Sequence, residues 1–330
     1  MMVTDAHLDL AFDLEKQRTY GKTKVLERDY LDACRRGGVG LIVSSIFVEN
    51  QYVPEMALRM ALRQISALKA DIAECDDFCF CTSYAEVEAV NAQGKIAIML
   101  SFEDCIPLYN DLSLLPLFHE LGVRMMGLSW SRRNFACDGA CFRPVEMGTA
   151  GGLTEFGVAL VRACGSLGIL IDVSHLNQQG FWDVAKYVDG PFIASHSNVA
   201  ALVPTERNLS DDQIREIVRR RGFIGMNAMN FLISDHDEGE TIAALTDHID
   251  HIVSLGGEDC VGFGFDFNDQ ILKYIPEDEL NLTPRRCRDV VHGHGDVPLV
   301  LEELRRRGYT EGQIEKIAGG NFLRLLRETL

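Results

Sequence analysis

Val3-Thr4-Asp5-Ala6-His7-Leu8-Asp9-Leu10 reads as a β-strand that ends in a histidine and a carboxylate two residues apart. Side chains at i and i+2 of a strand leave the same face. His7 and Asp9 are therefore expected to aim at one point, and an imidazole nitrogen beside a carboxylate oxygen is a natural donor pair for a divalent metal such as zinc. Taken alone, His-x-Asp is a weak signal and reads first as a polar pair at a strand end. What the rest of the chain sets around it decides between the two readings.

Seven more apolar, β-branched runs follow, at residues 39–48, 95–103, 123–130, 169–175, 191–197, 223–229 and 260–266. Longer amphipathic runs alternate with them, which is the pattern of βα units around a parallel sheet. Residues 55–74 place apolar side chains at helical spacing. Ser210-Asp-Asp-Gln213 and Thr310-Glu-Gly-Gln313 each read as a capping box that opens a helix, the second leading into a helical region expected to pause at Gly319-Gly320.

Eight strands with interleaved helices predict a (β/α)8 barrel, a fold of about 250 residues that tolerates insertions. The extra length falls mainly in the loops at about 131–151 and 268–295, long enough to build or cover a pocket at the C-terminal face. A doubly wound open sheet is the alternative. It would carry a phosphate-binding glycine loop after the first strand, whereas Gly37, Gly38 and Gly40 cluster at the start of the second. No Pro/Ser-rich hinge, short repeat or charge run divides the chain, so residues 1–330 are read as one domain.

Composition narrows the function classes. The 330 residues are 47% hydrophobic and 25% charged, enough for one large core or two ordinary ones, and no stretch is apolar enough to span a membrane. The first residues lack the basic and apolar regions of a secretory signal, so a cytoplasmic location is expected. Ten scattered cysteines, with only Cys79 and Cys81 close in sequence, read as reduced, buried thiols. With 49 acidic against 32 basic residues the net charge is −17, which repels nucleic-acid phosphates and anionic membranes.

The strand assignment places His7, Asp9, Glu103, His175, His196 and Asp266 all at C-terminal strand ends. Barrel enzymes assemble their sites there, so residues far apart in sequence converge without further assumption. Their donor types describe a binuclear centre in which His7 and Asp9 hold one ion, His175 and His196 the other, and Glu103 bridges. Nitrogen and oxygen donors suit two zinc ions, with manganese or cobalt as alternatives. Paired ions lower the pKa of a shared water from about 15.7 to near 7, which supplies a nucleophile. Asp266 is then free to act as general base and acid.

These residues resemble the renal (membrane) dipeptidases, peptidase family M19 of the amidohydrolase superfamily, along nearly the whole chain. The likeness rests on Asp5-Ala-His7-Leu-Asp9, Phe102-Glu103, Leu170-Ile-Asp-Val-Ser-His175, Ser195-His196-Ser197-Asn198, Arg207-Asn208-Leu-Ser-Asp211, Gly262-Phe-Gly-Phe-Asp266-Phe, and Arg307-Gly-Tyr followed by Gly319-Gly-Asn-Phe-Leu-Arg324. It implies a dizinc barrel hydrolase of dipeptides, L,L and L,D, with Arg207 on the substrate carboxylate and Asp266 transferring the proton. Other amides, such as N-acyl amino acids or β-lactams, would use the same site. A catalytically silent, ligand-binding relative is the non-enzymatic alternative, and a homodimer is the expected assembly.

Departures from the family pattern mark where substrate preference is open. Ala6 and Leu8 replace Gly and Asn of the first motif without touching the ligands. Trp130 stands where mammalian relatives have a substrate-binding histidine, and Asn134 fits the bacterial form of that loop, so both are expected at the substrate. Phe265-Asp266-Phe267-Asn268-Asp269 replaces a smaller run and predicts a bulkier pocket wall. Elsewhere, Arg132 and Arg133 read as a solvated loop tip, or as cations reaching an acidic substrate residue. His248 and His251 read as solvated or packing histidines, and Cys105 as structural. His292-Gly-His294 reads as a flexible loop, with a substrate or gating contact as the alternative. Asn227 and Asn230 either line the pocket or satisfy backbone groups.

Overall fold

A computed structural model of the chain describes residues 1–142, 145–146, 148–275 and 283–330. Among these, nine strands run in chain order: β1 (Val3–Leu8), β2 (Val39–Ile46), β3 (Phe78–Phe80), β4 (Ile96–Phe102), β5 (Val123–Gly127), β6 (Leu170–Asp172), β7 (Ile193–Ala194), β8 (Phe223–Met226) and β9 (Val261–Phe263). Eight of them pair in the order β1-β2-β4-β5-β6-β7-β8-β9, every pair parallel, with helices in the connections. This is the predicted βα barrel. The added strand, β3, pairs with Ile96–Ile98 at the start of β4, whereas β5 takes the later residues Leu100–Phe102. Three residues at a helix exit carry too little pattern to be read as a strand.

The barrel is nearly closed. The seam between β9 and β1 has no ladder; instead Phe265 N donates to Asp5 Oδ1 at 2.9 Å and Asp266 N donates to His7 O at 3.1 Å. These bonds set two expected site residues side by side across the seam. Strands covered on both faces should be apolar throughout, and β1, β2 and β4 are buried at every position.

Alternate side chains fill the interior. Leu41, Val43, Ala97 and Met99 form one core with Phe223, and Phe322, Leu325 and Leu326 of the helix Asn321–Thr329 pack onto it. Phe322 lies 4.8 Å from Phe223, at the start of β8, so this helix stops the barrel at the end opposite the ligand-bearing strand termini. The larger core lies between strands and helices.

Both capping boxes form: Ser210 and Gln213 open the helix Asp211–Arg219, and Thr310 and Gln313 open Glu311–Glu315. The helix 55–74 is realised as Ala57–Ile72. Gly319-Gly320 does not interrupt the chain's helical path, which passes through a wider turn, Lys316–Gly320, into the final helix. Gly319 instead permits close packing, since a Cβ there would sit 2.7 Å from Met2 O beneath β1. No helix among the described residues is long and apolar enough to cross a membrane. All ten cysteines are unpaired, Cys79 and Cys141 half-buried and the rest buried.

Candidate metal centre

The strands end slightly earlier than their apolar runs; His7 lies within β1, and the other expected ligands stand on the first turns beyond the strands. Asp9 directly follows β1 and precedes the helix Leu10–Thr19. Glu103 follows β4, and its N–H donates to Ile46 O at 3.2 Å, which fixes it above β2. His175 and His196 lie three and two residues past β6 and β7, and Asp266 three past β9. His175 and Asp266 have φ of 66° and 54°. Left-handed backbone at a non-glycine residue costs energy and persists where surrounding contacts over-determine it. Gly264 supports this turn, because a Cβ there would meet Ser195 O at 1.6 Å.

The side chains converge. His7 Nε2 lies 3.9 Å from Asp9 Oδ1, 3.9 Å from Glu103 Oε1 and 3.8 Å from Asp266 Oδ1. Glu103 Oε1 is also 3.0 Å from His175 Nε2 and 3.8 Å from His196 Nε2. Glu103 thus stands among all three imidazoles. His7, Glu103 and His196 form one group of ligand atoms close enough to share an ion, and His7, Asp9 and Asp266 form another.

The donors fit a metal by what they lack. His7 Nε2, Asp9 Oδ1, Glu103 Oε2, His175 Nε2 and His196 Nε2 are buried without a hydrogen-bond partner. Buried polar atoms are normally satisfied, so five orphans on facing side chains mark a place for cations. The opposite ring nitrogens are held. Ser195 Oγ lies 2.8 Å from His196 Nδ1 and donates to Asp172 Oδ2, so it accepts from Nδ1–H and leaves the Nε2 lone pair facing the centre. Ser131 Oγ lies 2.9 Å from His175 Nδ1.

Electrostatics favour the same reading. Burial, with Arg207 nearby, lowers His7 to about 3, and burial together with neighbouring cationic groups holds His175 and His196 well below their usual range. All three are neutral, the form that binds metal. Burial and mutual repulsion push Asp9 and Glu103 well above the usual carboxylate range, and burial raises Asp266 to about 7. Without added positive charge these carboxyls would keep protons.

Arg207 reaches the same cleft from the loop after β7, buried to 3% exposure. Its Nη2 donates to His196 O at 3.3 Å while its Nε has no partner. Burial brings it down to about 10 against the pull of Asp266 and Glu103, and it remains a cation. The cleft is about 620 Å³ including its mouth, and Asp9, Glu103, His175, Arg207 and Asp266 all line it.

The family model for membrane dipeptidase (peptidase family M19) matches residues 1–330. The chain belongs to this family. A Klebsiella pneumoniae protein described only as an uncharacterized protein in the pqqA 5' region is 32% identical over 280 residues, 83% of this chain and 98% of that protein. The M19 fold is also matched by a Rhodobacter sphaeroides metallo peptidase liganded with a phosphinate mimic of the dipeptide L-Ala-D-Ala. It is 28% identical, with a TM-score of 0.86, over 100% of this chain and 99% of that one. The dipeptidase AC structure, also a metallo peptidase of family M19, is 29% identical, with a TM-score of 0.86 over 100% and 98%.

For this M19 dipeptidase-family chain, some expectations hold and others change. Trp130 lines the cleft, its ring 6.1 Å from that of His175. Asn134 does not line it. Its amide donates to Asp104 Oδ1 and Leu128 O, each at 2.7 Å, and its oxygen accepts from Ala136 and Cys137 N–H, so it holds the loop together instead of meeting substrate. Neither arginine of the loop turns to the substrate cleft: Arg132 is largely covered and pairs with Asp104 at 2.8 Å, whereas Arg133 is exposed, as the solvated reading expects, and pairs with Asp138. Phe265 and Phe267 do not thicken the pocket wall; they stack on each other at 4.8 Å, and Ile271 and Leu272 line the cleft.

His294 is buried, not in a flexible loop, and donates to Asp5 Oδ2 at 2.8 Å. Asp5 thereby ties the His294 segment to the seam beside His7 and Asp266. His292 is exposed, 3.2 Å from Asp269. His248 is a packing histidine, bonded at both nitrogens to backbone, and His251 pairs with Asp211 at 2.8 Å. Asn227 plays both roles, donating to Asp266 Oδ2 at 2.9 Å and accepting from Met229 N–H, whereas Asn230 bonds to Glu240 and backbone. Cys105 donates to Leu128 O and is structural.

Sequence reading missed the orienting groups Asp172, Ser131 and Ser195. Two were within its motifs, three residues before His175 and one before His196, but only the fold turns Ser195 onto His196 Nδ1 and Asp172 onto Ser195.

Proposed function

We propose that this chain is a zinc-dependent dipeptidase, and the observation that carries the proposal is the set of five orphaned donor atoms beside a buried, partly unpartnered arginine. His7 and Asp9 would hold one ion, His175 and His196 the other, with Glu103 between. When bound, such ions supply Lewis acidity toward the scissile carbonyl and water ionised near neutral pH as nucleophile.

The chain's own residues do the rest. Arg207 offers a desolvated guanidinium that matches the planar fork of a C-terminal carboxylate. Fixing that carboxylate next to the donors limits the substrate to about two residues. Asp266 has Oδ2 anchored by Asn227 and Oδ1 turned toward His7. It is positioned to take a proton from the attacking water and return it to the leaving amine. Trp130 and Phe142 pack against His175 and shield the centre from bulk water. L,L and L,D dipeptides are both expected substrates, the second supported by the L-Ala-D-Ala mimic held by the Rhodobacter relative. A cytoplasmic location is supported by ten unpaired cysteines.

Metal analysis of the purified protein, combined with an assay on L,L and L,D dipeptides and N-acyl amino acids, tests this. About two zinc ions per chain with dipeptide turnover is the expected result. Turnover of N-acyl substrates alone would replace the substrate class, and no turnover after zinc is added back would refute the function.

A further inference from the structure

The cleft has a polar floor and apolar sides. On one side Phe47, Trp130 and Phe142 follow one another with ring centroids 5.3 and 5.6 Å apart, and Trp130 and Phe142 each lie about 6 Å from the ring of His175. On the other side Met229, Leu232 and Cys287 form a second apolar cluster, and Phe142 packs against both. The second side belongs to Arg207: Asn208, its chain neighbour, donates to Leu232 O at 3.0 Å.

Among the described residues, neither side carries a charge. Arg207 is the only cation lining the cleft among the described residues. Arg132, next along the chain from the Trp130 side, has its guanidinium held by Asp104 at 2.8 Å, Asn50 Oδ1 at 2.6 Å and Val48 O at 2.9 Å. An acidic substrate side chain would find no cationic partner among the described residues of these sides and would face Asp9, Glu103 and Asp266 below. A basic one would lose its hydration against hydrocarbon, which is costly without a paired charge. Apolar side chains instead gain by leaving water.

We infer that this site, read as the dipeptidase centre proposed above, selects dipeptides whose two side chains are both large and apolar. The Phe47–Trp130–Phe142 side receives the N-terminal side chain, and the Met229–Leu232–Cys287 side, joined to Arg207, receives the C-terminal one.

The test is kcat/KM of the zinc-loaded protein on Leu-Phe, Leu-Leu, Ala-Ala, Gly-Gly, Leu-Glu, Glu-Leu and Lys-Leu, each chiral pair in L,L and L,D forms. Leu-Phe or Leu-Leu should exceed Ala-Ala at least tenfold and Gly-Gly at least a hundredfold, and a charge at either position should cost about a hundredfold, in line with pocket discrimination of about 10–200-fold per methylene. Charged dipeptides within tenfold of Leu-Leu, or Ala-Ala as the best substrate, would overturn the inference and leave the dipeptidase reading standing. No hydrolysis of any dipeptide would remove both. Leu272→Arg places a cation on the half-buried rim beside Met229. It should raise the Leu-Glu to Leu-Phe ratio at least tenfold, and an unchanged ratio would overturn the assignment of that side to the C-terminal residue.

Discussion

Replacing Asp266 by Asn isolates proton transfer from the rest of the site. The change is nearly isosteric. Asn227 Nδ2, now 2.9 Å from Asp266 Oδ2, can donate to the new amide oxygen, and the backbone bonds Asp266 N to His7 O and Asn268 Nδ2 to Asp266 O are untouched. Folding should therefore change little, and Tm should stay within a few degrees. What disappears is a carboxyl that burial holds near 7 and whose Oδ1 faces the donors. General acid-base groups contribute about 10²–10⁴ in rate, or about 2.7–5.4 kcal/mol of barrier. The assay is kcat on a good dipeptide alongside zinc content by elemental analysis. A loss of at least a hundredfold with zinc unchanged is expected. An unaltered kcat would refute the proton-transfer role, and loss of zinc would make Asp266 a ligand, as its grouping with His7 and Asp9 permits.

Other substitutions probe the neighbouring layers. Arg207→Met removes the buried cation, and kcat/KM for dipeptides should fall about 30-fold to 4,000-fold, matching the 2–5 kcal/mol of a desolvated charge pair, chiefly through KM. Ser195→Ala takes a partner from Asp172 and from His196 Nδ1; metal affinity by chelator competition should weaken about 10–100-fold, and an unchanged affinity would remove Ser195 as an orienting group. His294→Leu strands Asp5 Oδ2 in the buried seam, and urea unfolding should show a loss of about 3 kcal/mol. His248 gives a pH signature. Burial lowers it from 6.5 to about 4. Its contribution is complete above pH 6.5, where folded and unfolded imidazoles are both neutral, and is lost as the pH falls toward 4, because only the unfolded state takes the proton. About 3 kcal/mol is at stake over that window, so stability measured from pH 7 to 4 should fall less steeply in His248→Gln.

Much of the site was legible because a parallel barrel converts one-dimensional position into shared location. Once each apolar run was read as a strand, His7, Asp9, Glu103, His175, His196 and Asp266 had to gather at one face, and they do. The misreadings have a common cause. Asn134 and Arg132 stand in a polar loop, and nothing local distinguishes a side chain that meets substrate or solvent from one that meets Asp104. His294 lies between glycines, which reads as mobility, yet Asp5, nearly 300 residues earlier, buries it.

The sequence by itself determined the strand count of the main barrel, the helix starts at Ser210 and Thr310, and the identity of the donors, since these follow from periodicity, caps and residue chemistry. Only the tertiary structure decided which nitrogen of each histidine faces inward, which carboxylates are left without partners, and which side chains wall the cleft. Those properties depend on contacts such as Ser195 with Asp172, Asp5 with His294, and Phe142 with both apolar sides. Partners so distant in sequence are chosen by packing, and packing is settled only when the barrel closes.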